Sequence, residues 1–279
     1  MAFEHTRARW RTMRALACFP RAAIVASLAI SAACASASTR VPVGTLEPDK
    51  FLWERGTAAL NERKWFTARE FFRQLVDSYP QSSYRADGKL GIGDTYLGEG
   101  SAEGFVLAEN EFREFLAFYP THERADYAHF KLAMTSFYQM HGPERDQTET
   151  REAIKELTAF VERYPNSQLL PEARNRLREA RDRLSQSEYR VGFFYFRSNW
   201  FPGAIERFSS VLKNDPEFTN RDAVYFHLAE SLVRIERPAE ALPYYERILA
   251  EFEQSEYLEN AQKRVAELKA NLAAQIKKN

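Results

Sequence analysis

The sequence predicts an all-α fold, a right-handed superhelical solenoid of about five stacked helix pairs. Three observations carry that expectation. A proline recurs along the chain, alanine and bulky apolar residues stand at fixed distances before it, and glycine is scarce, 11 in 279 residues beside 21 Phe, 13 Tyr and 4 Trp. Few glycines argue against a turn-rich β fold, and the aromatic side chains supply the volume that packed helices need.

The register is read backwards from Pro80, Pro120, Pro165 and Pro216. Twelve residues before them stand Ala68, Ala108, Ala153 and Ala204, and eight before stand Phe72, Phe112, Leu157 and Phe208. Five and four before stand Leu75 and Val76, Phe115 and Leu116, Phe160 and Val161, Val211 and Leu212. Glu253 holds a fifth proline-equivalent place, behind Ala241, Tyr245, Ile248 and Leu249. Offsets of four, three and one lie on one face of an α-helix. The alanine is small where two helices approach, and the proline ends the helix because it lacks an N–H. Ser82, Ser167 and Ser255, just past the stops, are expected to N-cap the following helices.

The partner helix lies upstream. Gly192, Tyr195, Ala204, Phe208 and Pro216 resemble the tetratricopeptide consensus in order and spacing, and Gly56, Ala59, Ala68, Phe72 and Pro80 repeat them. The pairs are expected at 49–80, 83–119, 123–164, 171–215 and 221–252, with a terminal helix over 255–277 and the repeat domain spanning 49–279. Gly98 to Gly104 and His141 to Thr150 read as inserted loops. No Gly or Pro falls between Glu172 and Arg190, which predicts one long helix from Pro171 to about Arg197. Pro202 and Pro238 suit first-turn positions, and Pro243 is expected to distort its helix start. One repeat cannot bury its own apolar face, so neighbours stack and leave a concave surface lined by the first helices, a groove sized for a peptide or partner helix.

The first residues differ. Arg7, Arg9, Arg11, Arg14 and Arg21 precede an uncharged run from Ala22 to Ala33, too short to span a bilayer and fitting an export signal over 1–33. Ile30-Ser31-Ala32-Ala33-Cys34 resembles a bacterial lipoprotein signal, with Ser31 where leucine is usual. Two readings stand. Cys34 is lipidated, or an ordinary signal is cut near Ala33 or Ala35. Acyl chains on Cys34 would anchor the chain, each buried methylene adding about 0.8 kcal/mol. Ala35, where lipoproteins kept at the inner membrane carry Asp, directs the expectation to the outer membrane. Residues 34–48 read as a flexible tether.

Thirty-nine basic and thirty-nine acidic residues balance to zero, so no nucleic-acid partner is expected. No phosphate loop, GxSxG, HExxH or CxxC occurs, and no cofactor, metal site or catalytic constellation is expected. His122 and His129 read as loop and helix-surface residues. Arg174, Arg178 and Arg181 share a face of the long helix. They are either a solvent face balanced by Glu172, Glu179 and Asp182 or the docking face of an acidic partner. Tyr189, Phe193, Phe194, Tyr195, Phe196, Trp200 and Phe201 form an aromatic run expected to be mostly core, with some members exposed.

The order of motifs goes further than a generic repeat. Phe118-Tyr119-Pro120-Thr121-His122, Arg145-Asp146-Gln147-Thr148, Arg163-Tyr164-Pro165-Asn166-Ser167 and Arg183-Leu184 through Tyr189 and Tyr195 together resemble the BamD family. Its members are lipoprotein subunits of the bacterial outer-membrane β-barrel assembly machinery, also described as the competence lipoprotein family. Asp215, where tyrosine would precede the fourth proline, departs from the pattern. The resemblance covers about residues 48 to 252. It implies a periplasm-facing scaffold on the outer membrane, membrane-bound through its lipid, partnered by a BamA-like barrel protein, other assembly-machinery subunits and unfolded outer membrane protein segments. Arg145, Asp146 and Gln147 match the family string. Partner binding and a local role, with Asp146 or Thr148 capping the next helix, are both open. Another periplasmic adaptor, coordinating cell-wall synthesis or division, is the alternative function.

Overall fold

The computed structural model describes residues 41–276; the export-signal expectation and Cys34 lie outside them. The described residues form eleven helices and no strand. They are α1 (Pro48–Asn61), α2 (Trp65–Ser78), α3 (Arg85–Glu99), α4 (Ala102–Phe118), α5 (Ala125–Gln139), α6 (Thr148–Arg163), α7 (Leu170–Arg197), α8 (Phe201–Asn214), α9 (Arg221–Arg234), α10 (Pro238–Glu251) and α11 (Leu258–Ile276). Each helix packs on the next. Successive first helices α1, α3, α5, α7 and α9 also touch, whereas no two second helices make a comparable contact. The first helices therefore lie on the inner side of a repeat solenoid of five pairs closed by α11.

The register explains the packing. Ala68, Ala108, Ala153, Ala204 and Ala241 have no exposed surface, and Phe72, Phe112, Leu157, Phe208 and Tyr245 four residues on are buried with them. In the first, second and fourth pairs the aromatic fills the space left by a glycine of the partner helix, Gly56, Gly93 and Gly192. A Cβ on Gly192 would sit 2.7 Å from Phe208 Cε1, and one on Gly56 would sit 2.5 Å from Phe72 Cε1. Tyr79, Tyr119, Tyr164 and Asp215 leave the helical region, with φ −123 to −141° and ψ 54 to 78°, because the following proline disfavours the α conformation there. Three first helices end alike, with Arg63, Asn199 and Glu236 at positive φ. The next amide then bonds back to Ala59, Tyr195 or Leu232, a Schellman closure made without glycine.

Several local expectations are corrected. Ser82, Ser167 and Ser255 do not N-cap, because a tight turn intervenes before each helix. Each hydroxyl instead accepts the amide two residues on and donates across to an aspartate near the start of the preceding first helix: Ser82 to Asp49, Ser167 to Asp126, Ser255 to Asp222. Arg124 reaches Asp87 and Thr219 reaches Asp182 in the same sense, so every pair is stapled to its successor. Gly98 to Gly104 is not an inserted loop. Only Gly100, at φ +67°, and Ser101 leave the helices, and Ser101 caps α4 by accepting from the Gly104 amide. Pro243 sits within a continuous α10, whose first turn tightens through a bond from the Glu240 amide to the Arg237 carbonyl. Val41 is held rather than tether-like, since it packs on the Leu52, Phe71 and Leu75 cluster.

No described helix is long and apolar enough to cross a membrane.

Candidate functional site: an arginine-rimmed cleft on the long helix

The 28-residue α7 makes the site. Its N-terminal half packs on α6 and its C-terminal half on α8, which holds these two second helices apart. Between them opens a cleft of about 520 Å³. Ile154, Leu184 and Val211 give it apolar walls. Arg151 of α6, Arg181 of α7 and Arg207 of α8 approach from three helices. Arg207 reaches Glu188 at 3.3 Å, whereas Arg151 and Arg181 have no ion pair among the described residues.

The three expected arginines separate. Arg174 is exposed and apart from the cleft. Arg178 turns to Asp215 and bonds both carboxylate oxygens, one of them at 2.9 Å, and adds Asp182 at 3.0 Å. Ser185 also donates to Asp215. Burial pushes the Asp215 carboxyl up, but the Arg178 and Ser185 hydrogen bonds outweigh it and hold it below the ordinary value. Asp215 lies at the base of the cleft with its charge met from behind, so the cleft mouth keeps three guanidiniums against Glu188. Sequence reasoning reached Arg181 and missed Arg151 and Arg207. The widened spacing from Pro165 to Pro216 was the available signal, because extra length in α7 is what separates α6 from α8.

The Arg145–Gln147 string divides as well. Gln147 is 4% exposed. Its amide donates to the Gly142 and Arg145 carbonyls and accepts from Thr150, so it shapes the 140–147 loop from inside. Asp146 accepts from the Thr148 amide, and that hydrogen bond holds its carboxyl below the ordinary range. Arg145 is exposed and has no ion pair among the described residues.

His129 is not a surface residue. Both sides of α5 are covered, and His129 lies 3.1 Å from Glu156 on α6 while Arg113 of α4 reaches the same carboxylate at 3.4 Å. In the aromatic run, Tyr189, Phe193, Tyr195 and Phe196 pack on the C-terminal core, and Phe194 and Trp200 are exposed. His227 sits among Tyr189, Phe193, Phe196, Phe208, Phe226 and Tyr257, where burial lowers its basicity. No group of three His, Cys, Asp or Glu among the described residues could hold a metal ion.

A family model described as outer membrane lipoprotein, YfiO, matches residues 46–234. Proteins named outer membrane protein assembly factor BamD are similar to this chain. The one from Caulobacter vibrioides is 27% identical over 219 residues, covering 77% of this chain and 70% of its own. The one from Vibrio cholerae is 26% identical over 180 residues, covering 61% and 73%. The one from Xylella fastidiosa is 21% identical over 180 residues, and the chain spans 61% of its length. Among solved structures, the crystal structure of MamA covers 75% of this chain and 97% of its own at 16% identity and a TM-score of 0.33. Matched to that family model over residues 46–234 and similar along most of its length to proteins named BamD, the chain belongs to the BamD family of outer membrane lipoproteins.

Proposed function

We propose that this protein is a non-catalytic scaffold of the outer membrane β-barrel assembly machinery, lipid-anchored through Cys34 and facing the periplasm. Its arginine-rimmed cleft receives an acidic segment of the barrel-forming, BamA-like subunit. The inner side formed by the first helices receives unfolded outer membrane protein segments. The relatives named as assembly factors support the general role. The observation that carries the docking reading is the convergence of Arg151, Arg181 and Arg207 over apolar walls with only Glu188 paired among them. Guanidiniums present forked donors that match carboxylates, and a partly desolvated cleft raises the strength of each contact. Arg145, fixed on its loop, offers a second contact of the same sign.

Co-purification from detergent-solubilised outer membranes tests the proposal. The wild-type chain is expected to retain a BamA-like protein, and Arg181→Glu with Arg207→Glu is expected to lose it while keeping its helical circular dichroism. Retention by the double variant would overturn the docking reading. Recovery of peptidoglycan enzymes in place of barrel proteins would select the cell-wall adaptor instead. Cys34→Ala is expected to release a folded periplasmic protein from the membrane fraction.

A further inference from the structure

We propose that the turn just before α1 is a membrane contact, with Val43 and Leu46 dipping into the headgroup region of the lipid surface that holds the anchor. The proposal rests on the reading of Cys34 as the lipid-bearing residue.

Val41 packs on the Leu52, Phe71 and Leu75 cluster, so the helical domain grips the chain at that point. Only the links from Cys34 to Val41 separate grip from anchor, and they span at most about 25 Å when fully extended. This end of the domain therefore stays close to the lipid surface. The turn there is closed. The Thr45 amide and hydroxyl both donate to the Pro42 carbonyl, at 3.3 and 2.8 Å. Gly44 supplies a φ of +91°, which a side chain would resist.

Closing the turn directs two aliphatic side chains away from the core. Val43 and Leu46 have relative exposures of 107% and 98%, the highest of any large apolar residues among those described. Water gives them no partner and the fold gives them none. The acids beside them are met locally. Glu47 pairs with Lys50 at 3.3 Å, and Asp49 is bonded by Ser82. Glu54 and Arg55, both exposed on α1, offset each other, so the contact rests on the two aliphatic side chains and not on charge.

Two aliphatic residues would bind a bilayer weakly from solution. Attached to an anchored lipid by so short a link, they bind at high effective concentration, so a weak contact is occupied. Occupation would point the start of α1 at the membrane and fix which edge of the solenoid faces lipid.

On this reading Cys18 is removed with the signal and the Cys34 sulfur is held in a thioether. A cysteine introduced by Val43→Cys is then the sole free thiol and can carry an environment-sensitive nitrobenzoxadiazole probe. The lipidated protein is reconstituted on vesicles of phosphatidylethanolamine and phosphatidylglycerol, with the same probe placed by Lys213→Cys on exposed α8 as the reference. The probe at 43 is expected to shift to the blue and to lose fluorescence to lipids spin-labelled near the headgroup, and the probe at 213 to do neither. A vesicle-bound protein whose two probes behave alike overturns the proposal and leaves the anchor reading intact. A protein that stays in solution and labels at Cys34 overturns the anchor reading and this proposal with it.

Discussion

Arg178 closes both guanidinium nitrogens on the carboxylate of Asp215, tying the middle of α7 to the end of α8. At the equivalent place the earlier pairs carry Tyr79, Tyr119 and Tyr164, and Arg85 in the second pair bonds the Tyr119 hydroxyl. The fourth pair thus keeps the arginine link and exchanges its acceptor for a charged one. Asp215→Asn would take from the half-buried Arg178 the carboxylate it grips with both nitrogens and leave it Asp182 at 3.0 Å, at a cost of about 1–3 kcal/mol. Its melting temperature is expected to fall, and Arg178→Met in the same chain to recover part of the loss. A double variant no better than Asp215→Asn would show that the two residues do not act as a pair.

Glu156 gives the fold an acid-sensitive joint. The hydrogen bond from His129 holds its carboxyl below the ordinary value of 4.5, burial works against it, and Arg113 adds to the effect. A carboxylate depressed in the folded state stabilises fully above its unfolded value, and that stability is lost as pH falls through the folded value. The melting temperature of the wild type is therefore expected to drop as the pH is taken below about 4.5. Glu156→Gln is expected to cost about 1–3 kcal/mol at neutral pH, because Arg113 and His129 lose a charged acceptor. The gap between variant and wild type should then narrow in acid. A gap constant from neutral to acid pH would remove Glu156 from the acid response.

The pairing of helices was legible in the chain because it rests on short-range spacing. Ala153, Leu157 and Phe160 lie within one face of one helix, and all three are fully buried. What escaped depends on several elements at once. His129 reads as a surface residue until α6 and α4 bring Glu156 and Arg113 to it. Ser167 reads as a cap until Asp126, far back in the chain, is found within reach of its hydroxyl. The cleft was half legible. Arg181 stood out on its helix, but Arg151 and Arg207 join it only because α7 is long enough to part α6 from α8.

Gly192 tests the close contact at the heart of the repeat. Its absent side chain leaves room for Phe208, whose ring would stand 2.7 Å from a Cβ there. Gly192→Ala forces the ring to move in a full core and is expected to cost about 1–3 kcal/mol. Phe208→Leu added to it should recover stability relative to the single variant, since the smaller side chain vacates that space. Chemical denaturation of the single and double variants reads this directly. An unshifted midpoint for Gly192→Ala would mean that the fourth pair can spread at no cost.

Gln147 and Arg145 separate shape from contact within one loop. The Gln147 amide donates at 2.8 Å to the Gly142 carbonyl and at 2.9 Å to the Arg145 carbonyl, and its oxygen accepts from the fully buried Thr150. Gln147→Ala strips the Arg145 carbonyl and the Thr150 hydroxyl of these partners, so a loss of about 1–3 kcal/mol is expected. Amide exchange should quicken across 142–147 while the helices on either side stay protected. Arg145→Ala removes an exposed side chain and is expected to leave the melting temperature and the exchange pattern unchanged. If Arg145 contacts the assembly partners, that variant alone should lower their recovery in the pull-down with the fold intact. Equal recovery by Arg145→Ala and wild type would confine the loop to a structural role, and unchanged exchange in Gln147→Ala would show that backbone bonds alone hold its shape.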